Sequence, residues 1–443
     1  MPSPFRISTT KKPTAHRFFV FACLWARACV LASFLGLNVP TAATEEVSHS
    51  LTLEDAVARS LNTNPDLAGN AYRMQSAEGY TVQAGSATPP TVGLEIEDAL
   101  GTGNYSEFDS SQTTLSIGWI LERRLIERRV QVAESSLSAV ETDQEVMQFD
   151  VAAETARDFL TVLALQERLM LAEDARQHAQ GILAEVSRRV DAAVTPLADQ
   201  LKAEVNLERR ALDVEEIEHE LLSAKRKLAA RWGATGFEFE QVAGKLQPPN
   251  ELPPYIDIEN SIANNPSLKY FLTQERIAES EIALARAEAG RRWQFSTGLR
   301  RFEATDDYGV VASVSLPLGG SNRNQGKISA LNADKSRLQG EAHATVVRLK
   351  TQLFILYQEL QHFRHISDAL EQRILPRLER ALSDTRKAYQ LGKYSYLELA
   401  AVQQELMDAR LGLIDAGVGI RMNTVEIERL TGQSLPASSE EKE

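Results

Sequence analysis

The sequence predicts a mixed α and β fold, mainly α, in which long helical hairpins and four short strands are arranged as two internal repeats. Three observations carry this reading. Motifs recur about 200 residues apart, two stretches are too long and too helix-prone for a globular core, and four segments alternate between apolar and polar residues. Asn64-Pro65-Asp66-Leu67 returns as Asn265-Pro266-Ser267-Leu268, Ala192 to Leu197 as Gly392 to Leu397, and Trp232-Gly233 as Thr431-Gly432, at offsets of 201, 200 and 199. Solenoid modules have periods of roughly 20 to 50 residues, so this spacing marks a duplicated half-protein. The implied organisation is a leader over 1–43, a first repeat over 44–233, a linker over 234–255, a second repeat over 256–432 and a disordered tail over 433–443.

The leader carries Arg6, Lys11, Lys12, Arg17 and Arg27 and no acid. A mostly apolar run from Phe18 to Leu37 precedes Thr41-Ala42-Ala43, a small-x-small cleavage signal, so the segment reads as a secretory signal peptide. Both cysteines, Cys23 and Cys29, lie inside it, which leaves the mature chain without disulfides or thiol ligands. Val20-Phe21-Ala22-Cys23 is a poor lipoprotein box, because Phe21 is bulky and little apolar sequence precedes it. Of 48 basic residues, 43 remain after cleavage against 61 acidic ones, a charge of −18. Such a surface repels nucleic acid, whose binding needs basic groups to displace counterions.

Val92, Leu94 and Ile96 alternate with Gly93, Glu95 and Glu97, and Leu115, Ile117 and Trp119 with Thr114, Ser116 and Gly118. Trp293, Phe295, Thr297 and Leu299, then Tyr308, Val310, Ala312 and Val314, alternate in the same way. Strands are therefore expected over about 91–98, 112–120, 293–302 and 308–317, each with one apolar and one polar or small face. The pattern suits a membrane barrel with lipid outside, and it equally suits a one-sided sheet in a soluble protein. The mature chain has no apolar run of about 18 to 20 residues, so no membrane-spanning helix is expected.

From Arg123 to Val190 there is no proline, and helix formers dominate; at 1.5 Å per residue this predicts a helix of roughly 100 Å. Further helices are expected over about Ala198–Arg231, Asn324–Leu391 and Tyr396–Leu430, with Pro376 kinking the third. Leu349, Leu353, Leu356, Leu360 and Phe363 step by 4, 3, 4 and 3, the spacing of a coiled-coil seam. Helices of this length with narrow seams need neighbours beyond one compact core.

These residues resemble the TolC-type outer-membrane efflux channels over nearly the whole mature chain. The resemblance rests on Leu51 to Val57 followed by Asn64-Pro65-Asp66-Leu67, on Leu316-Pro317-Leu318-Gly319-Gly320 at a strand-to-helix junction, and on the turn Tyr389 to Glu398. Ile120-Leu121-Glu122 lacks the junction proline. Arg188 to Leu197 looks most like the heavy-metal cation-efflux (Czc-type) branch, without that branch's glycine at Ala192 or Ala193.

The resemblance implies a homotrimer in which each copy gives four strands to a twelve-stranded transmembrane barrel and its hairpins to a periplasmic tunnel. A periplasmic adaptor, an inner-membrane pump and outer-membrane lipid are the implied partners. The implied function is a passive exit duct for heavy-metal cations, with organic toxicants or secreted proteins as the alternative cargo. A soluble periplasmic scaffold is the alternative of another class. Adaptor docking is expected at the hairpin tips, Ala192, Ala193, Val194, Thr195, Pro196 and Leu197 in the first and Gly392, Lys393, Tyr394, Ser395 and Tyr396 in the second. Gly392 suits turn geometry and Ser395 can cap the following helix. Glu398 is the candidate for a cation-attracting ring around the pore, or else a solvated glutamate favoured by the helix dipole. His362 and His365 share a helix face but have no carboxylate partner in the sequence, so no metal site, cofactor or catalytic residue is expected.

Overall fold

In a computed structural model, which describes residues 50–246, 252–317 and 322–433, β1 (Ser50–Thr52) runs directly into α1 (Leu53–Thr63). The Thr52 hydroxyl caps α1 by accepting from the Asp55 N–H at 3.1 Å. Asn64 then ends α1 in an extended conformation and starts α2 (Pro65–Ala84). Its Oδ1 accepts from the N–H groups of Asp66 and Leu67 at 2.8 and 3.3 Å, and Pro65 fills the first helical position, where an N–H has no partner. The expected leader with Cys23 and Cys29, the junction residues Leu318-Gly319-Gly320, part of the expected linker and the tail from 434 onward lie outside the described residues.

Next come β2 (Thr91–Glu97), β3 (Gln112–Leu121), α3 (Arg123–Asp191), α4 (Leu197–Ala230) and β4 (Gln241–Ala243), which pairs with β1 in parallel. The second half runs through α5 (Tyr255–Ser261), α6 (Pro266–Glu288), β5 (Trp293–Phe302), β6 (Asp307–Ser315) and α7 (Gln325–Ala369). A π turn over Leu370–Ile374 leads into α8 (Leu375–Gln390), and α9 (Tyr396–Thr431) ends on Gly432 in the left-handed conformation. No helix among the described residues is long and apolar enough to cross a membrane.

The four long strands form one antiparallel sheet in the order β2-β3-β5-β6, joining the halves through the β3–β5 pair. At 69 residues, α3 spans roughly 100 Å from this sheet to the first hairpin tip. Burial is concentrated midway along it. Phe159, Val162 and Leu163 pack there with Leu51, Leu228, Phe239, Val242 and Leu246. A second core joins α5, α7 and α9 through Ile258, Leu353, Leu360, Ile420 and Ile427. The expected leucine seam supplies its α7 side: Leu353 and Leu360 are fully buried, while Leu349, Leu356 and Phe363 flank them. Among these helices Asp158 is a buried charge, held by Arg231 Nε at 2.6 Å and Lys227 Nζ at 2.8 Å.

The fold corrects the sequence reading at four points. Each half holds two more helices than one hairpin, α1 and α2 in the first and α5 and α6 in the second. Residues 234–246 are not a bare linker, because β4 completes the strand pair with β1 and buries Phe239, Val242 and Leu246. The disturbance expected at Pro376 takes the form of a π turn just before it, since a ring without an N–H cannot continue the α-helical ladder. Finally, the two tip turns superpose at an offset of 199 rather than 200. Ala193 N–H donates to Val190 O as Gly392 N–H does to Tyr389 O, so Ala193 takes the place of Gly392.

Candidate functional site: the hairpin tips and the four-stranded sheet

The tips form because each long helix ends in a residue with positive φ, +58° at Ala193 and +70° at Gly392. Val194 N–H then donates to Arg189 O, and Lys393 N–H to Ala388 O, closing matching turns. The restarts differ. Pro196 begins α4 with no side-chain cap, whereas Ser395 begins α9 with a full capping box. The Ser395 hydroxyl accepts from Glu398 N–H at 3.3 Å, and Glu398 Oε2 accepts from Ser395 N–H at 2.7 Å and from its hydroxyl at 2.9 Å. The Ser395 backbone and side-chain bonds hold the Glu398 carboxyl below its ordinary value, so it is anionic at neutral pH.

Arg189 ties the two tips together. Its Nη1 donates to Gln390 O at 3.1 Å, its Nε donates to Thr195 Oγ1 at 3.3 Å, and its guanidinium lies 4.7 Å from the centre of the Tyr389 ring. Beneath it, Ile182, Val186, Ala203, Tyr389, Tyr396 and Leu399 make a small core. Tyr396, expected as a docking contact, is buried in this core and unavailable to a partner, because its position at the start of α9 points it at α3. The other expected tip residues reach solvent. Val194, Leu197, Leu391, Tyr394 and Leu397 present exposed apolar side chains there. Arg189 was missed in the sequence, where one arginine among several before a turn carries no distinguishing signal.

At the other end, the sheet register sorts the side chains onto two faces. Val92, Ile117, Thr297 and Ala312 lie in one row and Leu94, Leu115, Leu299 and Val310 in the next, giving a continuous apolar face that is open to solvent within one chain. Trp119 and Trp293 stack on either side of Phe295, at centroid distances of 6.1 and 6.2 Å, where the sheet meets the helices. Tyr308, paired with Arg301, stands at the far end of this face. The opposite face carries Glu95, Glu97, Gln112, Thr114, Ser116, Gly118, Ser296, Gly298 and Ser313. Arg300 crosses it, donating to Thr114 Oγ1 at 2.8 Å, Gln112 Oε1 at 3.0 Å and Glu97 Oε2 at 2.6 Å. Gly298 is required, since a Cβ there would fall 2.6 Å from Leu115 O. Both outer strands, β2 and β6, leave one edge without a strand partner among the described residues.

Glu122 closes the sheet-to-helix junction where the proline is missing. Its Oε1 accepts from Thr88 N–H at 2.8 Å and from the Thr88 hydroxyl at 2.6 Å, fixing the segment that leads into β2.

Known proteins share this arrangement. Residues 56–234 match the family described as outer membrane efflux protein. The cobalt-zinc-cadmium resistance protein CzcC of Cupriavidus metallidurans is 24% identical over 404 residues, covering 91% of this chain and 95% of CzcC. A structure of CusC superposes with a TM-score of 0.70 at 17% identity, covering 86% of this chain and 92% of that one. VceC of Vibrio cholerae gives 0.68 at 16% identity, covering 87% and 97%. The first half of the chain is thus similar to the outer membrane efflux protein family, and nearly its whole length aligns with CzcC.

Proposed function

We propose that this chain is the outer-membrane duct of a tripartite efflux system, assembled as a homotrimer and passing heavy-metal cations. The observation that carries the reading is the sheet. It exposes an apolar face with aromatic residues at its ends, keeps a polar face behind it, and leaves two edges open. Strands of 10 residues, such as β3 and β5, reach roughly 33 Å and, when tilted, match an apolar band of about 25 Å. Four strands are too few to close a barrel around side chains, whereas three copies supply twelve and remove every edge.

The tip supports the partner reading. Its exposed Val194, Leu197, Leu391, Tyr394 and Leu397 form an apolar surface far from the sheet, suited to a periplasmic adaptor that couples the duct to an inner-membrane pump. The cargo reading rests on likeness to CzcC across 95% of that protein's length and on the acidic balance of the chain. Glu398 stays a candidate for a cation-attracting ring, although its carboxylate is also committed to capping α9.

The test is conductance across a planar bilayer, together with cobalt, zinc and cadmium accumulation in cells that lack the gene. Discrete cation-preferring steps and raised metal content in the deletion strain are expected. A protein that remains in the aqueous fraction without oligomerising would overturn the duct. Unchanged metal content alongside good conductance would overturn the cargo.

A further inference from the structure

Roughly 20 Å along α3 from the Ala193 turn, the two hairpins stand apart around a cavity of about 160 Å³. The gap exists because several of the side chains facing it are short. Ala175 and Ala179, one turn apart on α3, are buried yet reach no further than a methyl group, and Ala400 supplies another methyl from α9. Leu382 of α8 and Met407 of α9 add to the apolar part of the wall.

The polar part is built from hydrogen-bond donors. Asn206 and Arg210 share one face of α4 at a spacing of four, and Gln403 and Arg410 share one face of α9 at a spacing of seven. Each guanidinium uses one group on a carboxylate outside the wall. Arg210 Nη1 donates to Asp213 Oδ2 at 3.0 Å, and Arg410 Nη2 to Glu379 Oε1 at 3.4 Å. Arg210 Nη2 also donates to Gln404 Oε1 at 2.5 Å, which links α4 to α9. The remaining edge of Arg410, Nε and Nη1, has no partner among the described residues, nor do the half-buried side-chain amides of Asn206 and Gln403. No carboxylate lines the cavity, in a chain with 61 acidic residues against 48 basic ones.

Unpartnered donors of this kind suit a negatively charged guest rich in acceptors. Two guanidiniums repel a free metal cation and match a planar carboxylate, whose oxygens take parallel N–H groups. The alanine, leucine and methionine surface suits a short hydrocarbon spine. We propose that this cavity binds a small organic dicarboxylate, with one carboxylate on Arg210 and Arg410 and the other on the amides of Asn206 and Gln403. The volume, room for several waters, admits a spine of about four carbons. Occupied, the cavity would tie the first hairpin to the second by charge-assisted hydrogen bonds, where the helices themselves leave a gap. The site is separate from the exported cargo and does not rest on the duct reading.

Isothermal titration calorimetry of the full-length protein in detergent, with succinate as the probe, tests this without reference to conductance or metal content. Saturable binding of one succinate per chain is expected, with putrescine and succinamide giving only heat of dilution. Arg410→Met should weaken binding about tenfold or more. Its exposed pair with Glu379 contributes little to the fold, so the variant should stay intact. Ala179→Leu, which fills the floor of the cavity, should abolish binding. Absence of saturable heat up to about 10 mM succinate would overturn the site. Native affinity in Arg410→Met would do the same. Equal binding of succinamide would overturn recognition by charge, and tighter binding of inorganic phosphate would overturn the dicarboxylate. Should Ala179→Leu fail to fold, Arg410→Met decides alone.

Discussion

The side-chain amide of Asn64 donates to the main-chain carbonyl of Arg231 at 2.8 Å, across 167 residues of chain. Asn265 makes the same bond to Leu430 O at 2.7 Å, and in both cases the Oδ1 caps the next helix. Each half is thus clasped where it begins and ends. Gly233 and Gly432, both with positive φ, bring the returning chain against Pro65 and Pro266.

Removing either clasp deletes a cap and strands a helix-terminal carbonyl. Asn64→Ala and Asn265→Ala should each cost about 2 kcal/mol. The two losses should add, because the sites share no partner. Thermal melting in detergent measures both, and a cost near zero for Asn265→Ala would refute the clasp.

Ala193 holds a backbone conformation that costs an L-residue about 1 kcal/mol and glycine little. Ala193→Gly should therefore stabilise the first tip by up to that amount, and Gly392→Ala should destabilise the second by a similar one. Protease susceptibility of the tip turns is the readout, with opposite signs expected.

Glu398→Gln separates capping from charge, since glutamine can complete a capping box. If Glu398 also lines the pore, cation preference should fall while the tip keeps its protection. Because the Ser395 bonds hold its carboxyl below the ordinary glutamate value, the stabilisation is present above that ordinary value and is lost as pH falls through the lowered one. Acid loosening of the α9 start should accordingly vanish in Ser395→Ala, which is loose throughout.

Leu94 and Glu95 are neighbours on opposite faces of β2. Leu94→Lys should cost about 2 to 4 kcal/mol of membrane insertion if it meets lipid near the midplane, whereas Glu95→Lys should insert normally and weaken cation preference. Equal insertion of the two would contradict the assignment of faces.

The four strands were legible because their alternation is imposed by two faces of different polarity, and Val92 through Ile96 fall on one of them. The hairpins were legible from their length and freedom from proline. α2 and α6 were not, because their apolar residues are spread around the helix rather than gathered in a stripe. The short β1–β4 pair was invisible for a different reason: three residues carry no period, and their partners lie about 190 residues apart. Asn64-Pro65 and Trp232-Gly233 were both conspicuous in the sequence, yet nothing in either says that they touch. Arg189 and Arg300 were hidden for the same reason, since each takes meaning from partners on another element.

Among the described residues, the strand order β2-β3-β5-β6 leaves two unlike open edges, one from each half. Copies that join head to tail, β6 of one beside β2 of the next, use both edges and can close into a ring, whereas a two-fold pairing of like edges leaves the other edge of each copy open. The same geometry makes the unassembled chain hazardous in water. Two unpaired edges flank a bare apolar face, the surface that templates strand-by-strand aggregation. Under the proposed assembly, completing the sheet and completing the oligomer are one event.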